Sequence, residues 1–288
     1  MKMRALSLLV SIISTALLIS CGSGNKEAEK DNSIVDSLLK QDTIREQIQQ
    51  FVHIFPSQIK VARLFKNAGL KYQSTELVPS DAASALMSEQ EKAIAMGFYG
   101  VDMVYSAMNG QTQAAMGGLK VTRSLANDLG LEALYTANNY VQKFESNLNN
   151  QDSLETIIRD LFAETDAFLK DNNRLDLTLL TFAGGWTESV YLATVYAYTT
   201  KNKGIVQLIG DQLVSLEPLI DLLKETKSAA DVRPLISELE NVRRSIRAGI
   251  VKEETESEPM VMEMDDARLQ DLLAKLNVIR ARVSKAKK

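Results

Sequence analysis

Apolar residues recur at helical spacing along almost the whole chain, and the elements they predict are helices joined by short polar breaks. Two runs depart from the ordinary one-sided pattern because they are apolar on nearly every side. Residues 175–198, LDLTLLTFAGGWTESVYLATVYAY, span about six helical turns and read as a buried central helix. Residues 89–108, containing AIAMGFYGVDMVYSAM, form a second such run. Period-2 alternation of Val, Ile and Thr is nearly absent, so sheet is not expected. The fold predicted is all-α: a multi-helix bundle packed around the 175–198 helix.

Local signals place the other elements. Ser33 caps a helix whose inner face carries Ile34, Leu38, Ile44, Ile48, Phe51 and Val52, and Pro56 ends it. Residues 57–68 form a short amphipathic helix stopped by Gly69. His53, in the apolar stretch VHIF, reads as a packed side chain rather than a ligand. Residues 70–80 read as a loop. Ser88 and Glu91 form a capping box that opens the 89–108 helix. Helices are expected over 111–128, 131–148 and 153–169, the last with Leu154, Ile157, Ile158, Leu161, Phe162 and Phe168 inward. After the central helix, 205–225 is expected to bend or restart at Pro218. Residues 230–246 carry Pro234 near the first turn, where proline is tolerated. In 267–285, Leu269, Leu272, Leu273, Leu276 and Ile279 share a face. The basic end, Arg280, Arg282, Lys285, Lys287 and Lys288, reads as a solvated tail that complements the helix dipole. The organisation expected is a leader over 1–20, a small, polar tether over 21–32, a helical domain over 33–250, an acidic linker over 251–266 and a C-terminal amphipathic helix over 267–288.

Composition narrows the chemistry. The 288 residues are 45% hydrophobic and 24% charged, which suits a globular helical body. The formal charge is -4, and it falls by two more units if a leader carrying Lys2 and Arg4 is removed. An acidic chain without a basic stripe argues against nucleic acid as a partner. One cysteine, Cys21, and one histidine, His53, exclude internal disulfides and Cys/His zinc sites. No EF-hand spacing is present, and neither a metal nor a cofactor is expected.

At the N-terminus, Lys2 and Arg4 precede an apolar core, ALSLLVSIISTALLI, too short for a comfortable membrane span. It ends Leu18-Ile19-Ser20-Cys21-Gly22. This resembles the bacterial lipobox, a leucine three residues before a cysteine. The resemblance implies that Cys21 is diacylated, becomes the mature N-terminus and holds the protein to a membrane through its lipid. Two or more acyl chains give stable attachment. By resemblance to sorting in Gram-negative bacteria, Gly22 in place of an aspartate implies the outer membrane.

The two apolar helices also carry the candidate chemistry. At an offset of 86 residues, GFYGVDMVY (97–105) overlays AGGWTESVY (183–191), so that Asp102 meets Glu188 and Tyr105 meets Tyr191. An internal duplication and convergence on a buried helix with one acid both account for this. A lone ionised carboxylate on a buried helix costs several kcal/mol, so each acid must be paired, hydrogen-bonded or protonated. Lys92, Lys120, Arg123 and Arg174 are candidate counter-charges. Tyr105 and Tyr191 lie three residues beyond the acids, with their hydroxyls expected to be directed elsewhere. Gly184 and Gly185 would let another helix approach closely. The candidate ligand-binding set is Asp102, Tyr105, Trp186, Glu188 and Tyr191; rings with carboxylates suit sugars, amines or a basic peptide group.

The lipobox and the Gly-Gly-Trp-x-Glu-Ser-x-Tyr run, here Gly184 to Tyr191, resemble those of uncharacterised helical lipoproteins of Gram-negative envelopes. The resemblance implies an address and no activity. The reading reached is a lipid-anchored binding or scaffold module that engages an envelope protein or small ligand. The alternative is a glycoside-type hydrolase using Asp102 and Glu188 as a carboxylate pair. Against an enzyme stand the lack of a Gly-x-Ser-x-Gly elbow, metal motifs and a catalytic histidine.

Overall fold

The computed structural model describes residues 46–47, 71–147, 150–171, 174–226, 228–255 and 258–284. The lipobox and Cys21, the tether, His53 and most of the helices expected over 33–68 lie outside the described residues. The rest is mostly helical, and the all-α class holds.

Helix α1 (Glu89–Met108) opens with the expected capping box. Ser88 Oγ accepts the Glu91 amide at 3.1 Å, and Glu91 Oε2 accepts the Ser88 amide at 3.1 Å. Two orphan donors of the helix end are thereby satisfied, and these backbone bonds draw the Glu91 carboxyl below its usual range. Helix α2 (Thr112–Asp128) returns along α1. The helix expected over 131–148 is two short ones, α3 (Glu132–Ala137) and α4 (Tyr140–Ser146). The break falls at Asn139, whose backbone is left-handed (φ 51), a conformation asparagine tolerates better than most residues. Helix α5 (Gln151–Asp171) buries Leu154, Ile158 and Leu161 as its spacing predicts.

Helix α6 (Leu175–Thr200) is the central rod. Nearly every residue from Leu177 to Ala197 is buried, on all faces, which is why the run lacks a polar stripe. It packs against α1, α5, α7 (Lys203–Asp211), α8 (Leu213–Glu225) and α10 (Asp266–Ser284). The break between α7 and α8 falls at Gln212 rather than at Pro218. The Gln212 carbonyl takes the Ser215 and Leu216 amides that open α8, together with Trp186 Nε1 at 3.4 Å. Pro218 then sits inside α8 without ending it. Helix α9 (Arg233–Arg247) starts with Pro234 in its first turn, as expected.

The segment read as an acidic linker carries a short ladder. Strand β1 (Ile250–Lys252) pairs antiparallel with β2 (Val261–Met262), with Ile250 opposite Met262. Met262 is buried and closes over Gly210 and Gly249. Helix α10 follows, with Leu269, Leu272, Leu276, Ile279 and Val283 buried against the body. Arg282 grips Glu238 of α9 through two hydrogen bonds of 2.8 and 2.7 Å. Among the described residues, no helix is long and apolar enough to cross a membrane.

The α1–α6 contact is a close approach of two helix backbones. A methyl group built on Gly184 would stand 2.0 Å from the Ile94 carbonyl oxygen. One built on Gly97 would stand 2.1 Å from the Thr181 carbonyl oxygen and 2.5 Å from the Gly185 amide nitrogen. Backbone therefore lies on backbone, and only glycine fits. Gly117 of α2 faces open space. Gly184→Ala is expected to cost about 3 kcal/mol or more, at or beyond the upper end of ordinary overpacking. Gly117→Ala is expected to stabilise by about 0.5–1 kcal/mol through helix propensity. Urea unfolding of the two variants checks this, and equal midpoints would contradict it.

Candidate functional site

The α1–α6 crossing carries both acids inward. Glu188 is 0% exposed and Asp102 5%. The four counter-charges expected from sequence do not serve them: Lys92 pairs with Asp128, for example, and Arg174 with Glu89. The charge that meets them is Arg280 of α10, which is 8% exposed. Its Nε donates to Glu188 Oε2 at 2.7 Å and its Nη2 to Glu188 Oε1 at 2.9 Å, a bidentate fork. The solvated-tail reading therefore fails for Arg280 and, through the Glu238 pair, for Arg282. The sequence held a signal for Arg280: it stands four residues after Leu276 and eleven after Leu269, on the apolar face of its helix.

Asp102 lies beside Glu188 and has no arginine fork of its own. Its Oδ2 accepts the Val78 amide at 2.9 Å, and its Oδ1 is buried with no hydrogen-bond partner among the described residues. Burial pushes its carboxyl well above the usual aspartate range, and the Glu188 charge adds to this. Burial also raises Glu188, opposed by Arg280. Two acids thus share one guanidinium. Keeping a proton on Asp102 leaves the cluster close to neutral, which a buried site of low dielectric favours.

Around the acids stands a layer of tyrosines. The Tyr191 ring lies under the Arg280 guanidinium, 3.6 Å from ring centre to Cζ. Its hydroxyl donates to Glu76 Oε2 at 2.6 Å. Burial, reinforced by that bond, pushes Tyr191 up to about 12. Tyr105 stacks on Tyr72 and hydrogen-bonds Tyr196 through their hydroxyls. Neither Tyr105 nor Tyr191 directs its hydroxyl at Asp102 or Glu188, as the sequence suggested. Asp102, Glu188 and Tyr191 therefore gather at Arg280. Tyr105 stands a turn away beside Tyr196, and Trp186 points across α6 to Gln212 instead.

These groups converge on a piece of chain, residues 71–78, read as a loop from sequence. Tyr196 Oη donates to the Lys71 carbonyl at 2.7 Å, and Tyr105 Oη accepts the Gln73 amide at 3.0 Å. Arg280 Nη2 donates to the Glu76 carbonyl at 2.5 Å, and Asp102 takes the Val78 amide. Tyr72 Oη meets Ser106 Oγ at 3.1 Å. Each such bond contributes about 0.5–1.5 kcal/mol net. The loop is thus held by polar contacts with its main chain and by Tyr72, Leu77 and Val78 packed on the core, and the helices present their acids and phenols to it. Glu76, Tyr72 and Tyr196 were missed as site residues because loop and helix lie far apart in sequence and no local pattern joins them. Among the described residues, no cluster of metal-binding side chains is found.

Comparison with family profiles, curated proteins and solved structures finds no match to this chain.

Asp102 gives a pH test. The folded state favours its protonated form, so folding takes up a proton between the ordinary value of 3.8 and the raised folded value. Its contribution to stability is complete below the first value and is lost as pH rises through the second. Asp102→Asn keeps an acceptor for the Val78 amide and has no proton to lose. Between pH 4 and 8 the wild type should lose stability relative to Asp102→Asn, by at most about 1.4 kcal/mol per pH unit. Urea midpoints across that range check it, and parallel curves would contradict it.

Proposed function

We propose that the chain is a lipid-anchored envelope protein whose helical body is a binding or scaffold module, tethered to the outer membrane through Cys21. The anchor rests on the run Leu18-Ile19-Ser20-Cys21 behind its short apolar core. For the body, the observation that carries the reading is the closure of the acid pair. Glu188 and Asp102 are buried, and their neighbours are Arg280 and the chain's own main chain. A glycoside hydrolase needs its two carboxyl groups open to a sugar and a water. The closed arrangement supports binding over hydrolysis, with the acids fixing the body's shape.

Expression in a Gram-negative host with labelled palmitate tests the anchor. The wild type should take up label and fractionate with the outer membrane, whereas Cys21→Ser should stay unlabelled. An unlabelled wild type in the soluble fraction would contradict the anchor. Crosslinking in intact cells tests the body: an anchored protein that joins no envelope component would contradict the binding role.

A further inference from the structure

We propose that Met260, Met262 and Met264 form a binding site for a soft monovalent cation, copper(I) or silver(I). The site shares no residue with the Arg280 cluster and goes beyond the reading of the body as a binding module.

Three of the chain's ten methionines fall within five residues, at alternate positions along the run through β2. Alternate residues of an extended run share one face, and the contacts place all three on the face that meets Gly210 and Gly249. A methyl group built on Gly210 would stand 2.7 Å from Met260 Cε and 3.2 Å from Met262 Cγ. One built on Gly249 would stand 2.8 Å from Met262 Cε and 3.0 Å from Met264 Cγ. Each sulfur is bonded directly to one of these carbons. The Met262 sulfur, bonded to both Cγ and Cε, therefore lies over the pair of glycines, with a second thioether beside each glycine.

The backbone that carries the three is fixed from both edges. Gln207 Nε2 donates to the Met260 carbonyl at 3.0 Å, and its Oε1 accepts the Met262 amide at 3.1 Å. The Gly249 carbonyl accepts the Glu263 amide at 2.8 Å. The side chains keep their own freedom: methionine is unbranched and has three rotatable bonds, so neighbouring thioethers can turn to one ion without moving the strand. Met262 is buried, whereas Met260 and Met264 are half-buried and stand between the exposed Val261, Glu263 and Asp265. An ion thus has a way in from solvent.

The ligand class follows from the donor. The metal-binding clusters absent among the described residues are those of His, Cys, Asp and Glu. A thioether is a different ligand, neutral and polarisable, and it selects soft ions such as copper(I) over magnesium or calcium. Residues 251–266 add seven acids against one lysine. That charge draws cations toward the hairpin, and the thioethers choose among them.

Silver(I), which mimics copper(I) without its redox chemistry, is the probe. The full chain is solubilised in detergent in chloride-free buffer, its methionine methyl groups are carbon-13 labelled, and silver nitrate is added. One equivalent should shift the methyl signals of Met260, Met262 and Met264 and leave those of Met87, Met96 and Met103 in place. Met260→Leu and Met264→Leu conserve volume at half-buried positions; each should weaken silver binding at least ten-fold, and Met87→Leu should leave it unchanged. Absence of the three shifts at one equivalent, or equal affinity in wild type and both variants, would overturn the proposal. The same three shifts on adding calcium would assign the binding to the carboxylates and overturn it equally. If either variant does not fold, the titration of the wild type still decides.

Discussion

The body depends on one ion pair placed where charge is hardest to keep. Glu188 sits in the middle of a helix buried on all sides, and Arg280 arrives from the far end of the chain to meet it with a two-bond fork. An unpaired carboxylate there would cost several kcal/mol. The pairing therefore ties the position of α10 to the integrity of α6. It also explains a residue out of keeping with its surroundings, since Arg280 replaces a leucine-like position on an otherwise apolar helix face. The same guanidinium covers the Tyr191 ring and holds the Glu76 carbonyl, so α6 and the 71–78 loop share one cation.

The pair works because α1 and α6 lie in direct backbone contact. Gly97 and Gly184 remove the side chains that would hold the helices apart. That approach brings Asp102 next to Glu188 and creates a second electrostatic demand, which the single arginine does not fully meet. The proton favoured on Asp102 answers it. Close packing, a shared counter-charge and a raised aspartate are thus successive consequences of one glycine-lined crossing.

Much of this was legible in the sequence, for local reasons. The uniform apolarity of residues 175–198, the Ser88–Glu91 box and the 3.6-residue spacing of the flanking helices each reflect interactions within a turn or two, and each forms as read. The glycines announced a close approach, and both acids lie where that approach occurs. The errors were of two kinds. Helix breaks at Asn139 and Gln212 depend on a left-handed residue and on a carbonyl borrowed by a neighbouring tryptophan, and neither is marked by a strong breaker. The partner of Glu188 lies 92 residues away, and Glu76 meets Arg280 across 204. Such contacts have no local pattern; a polar residue on an apolar stripe is the trace they leave, and in Arg280 that trace was hidden among the basic residues of the helix end.

The most direct measurement of the central claim is the coupling energy between Glu188 and Arg280 in a double-variant cycle with Glu188→Gln and Arg280→Met. Urea unfolding at neutral pH should give single losses of about 3–5 kcal/mol each and a double loss smaller than their sum by about 2 kcal/mol or more. Additive losses, within about 0.5 kcal/mol, would show that the two side chains do not meet in the folded protein, and would contradict the account.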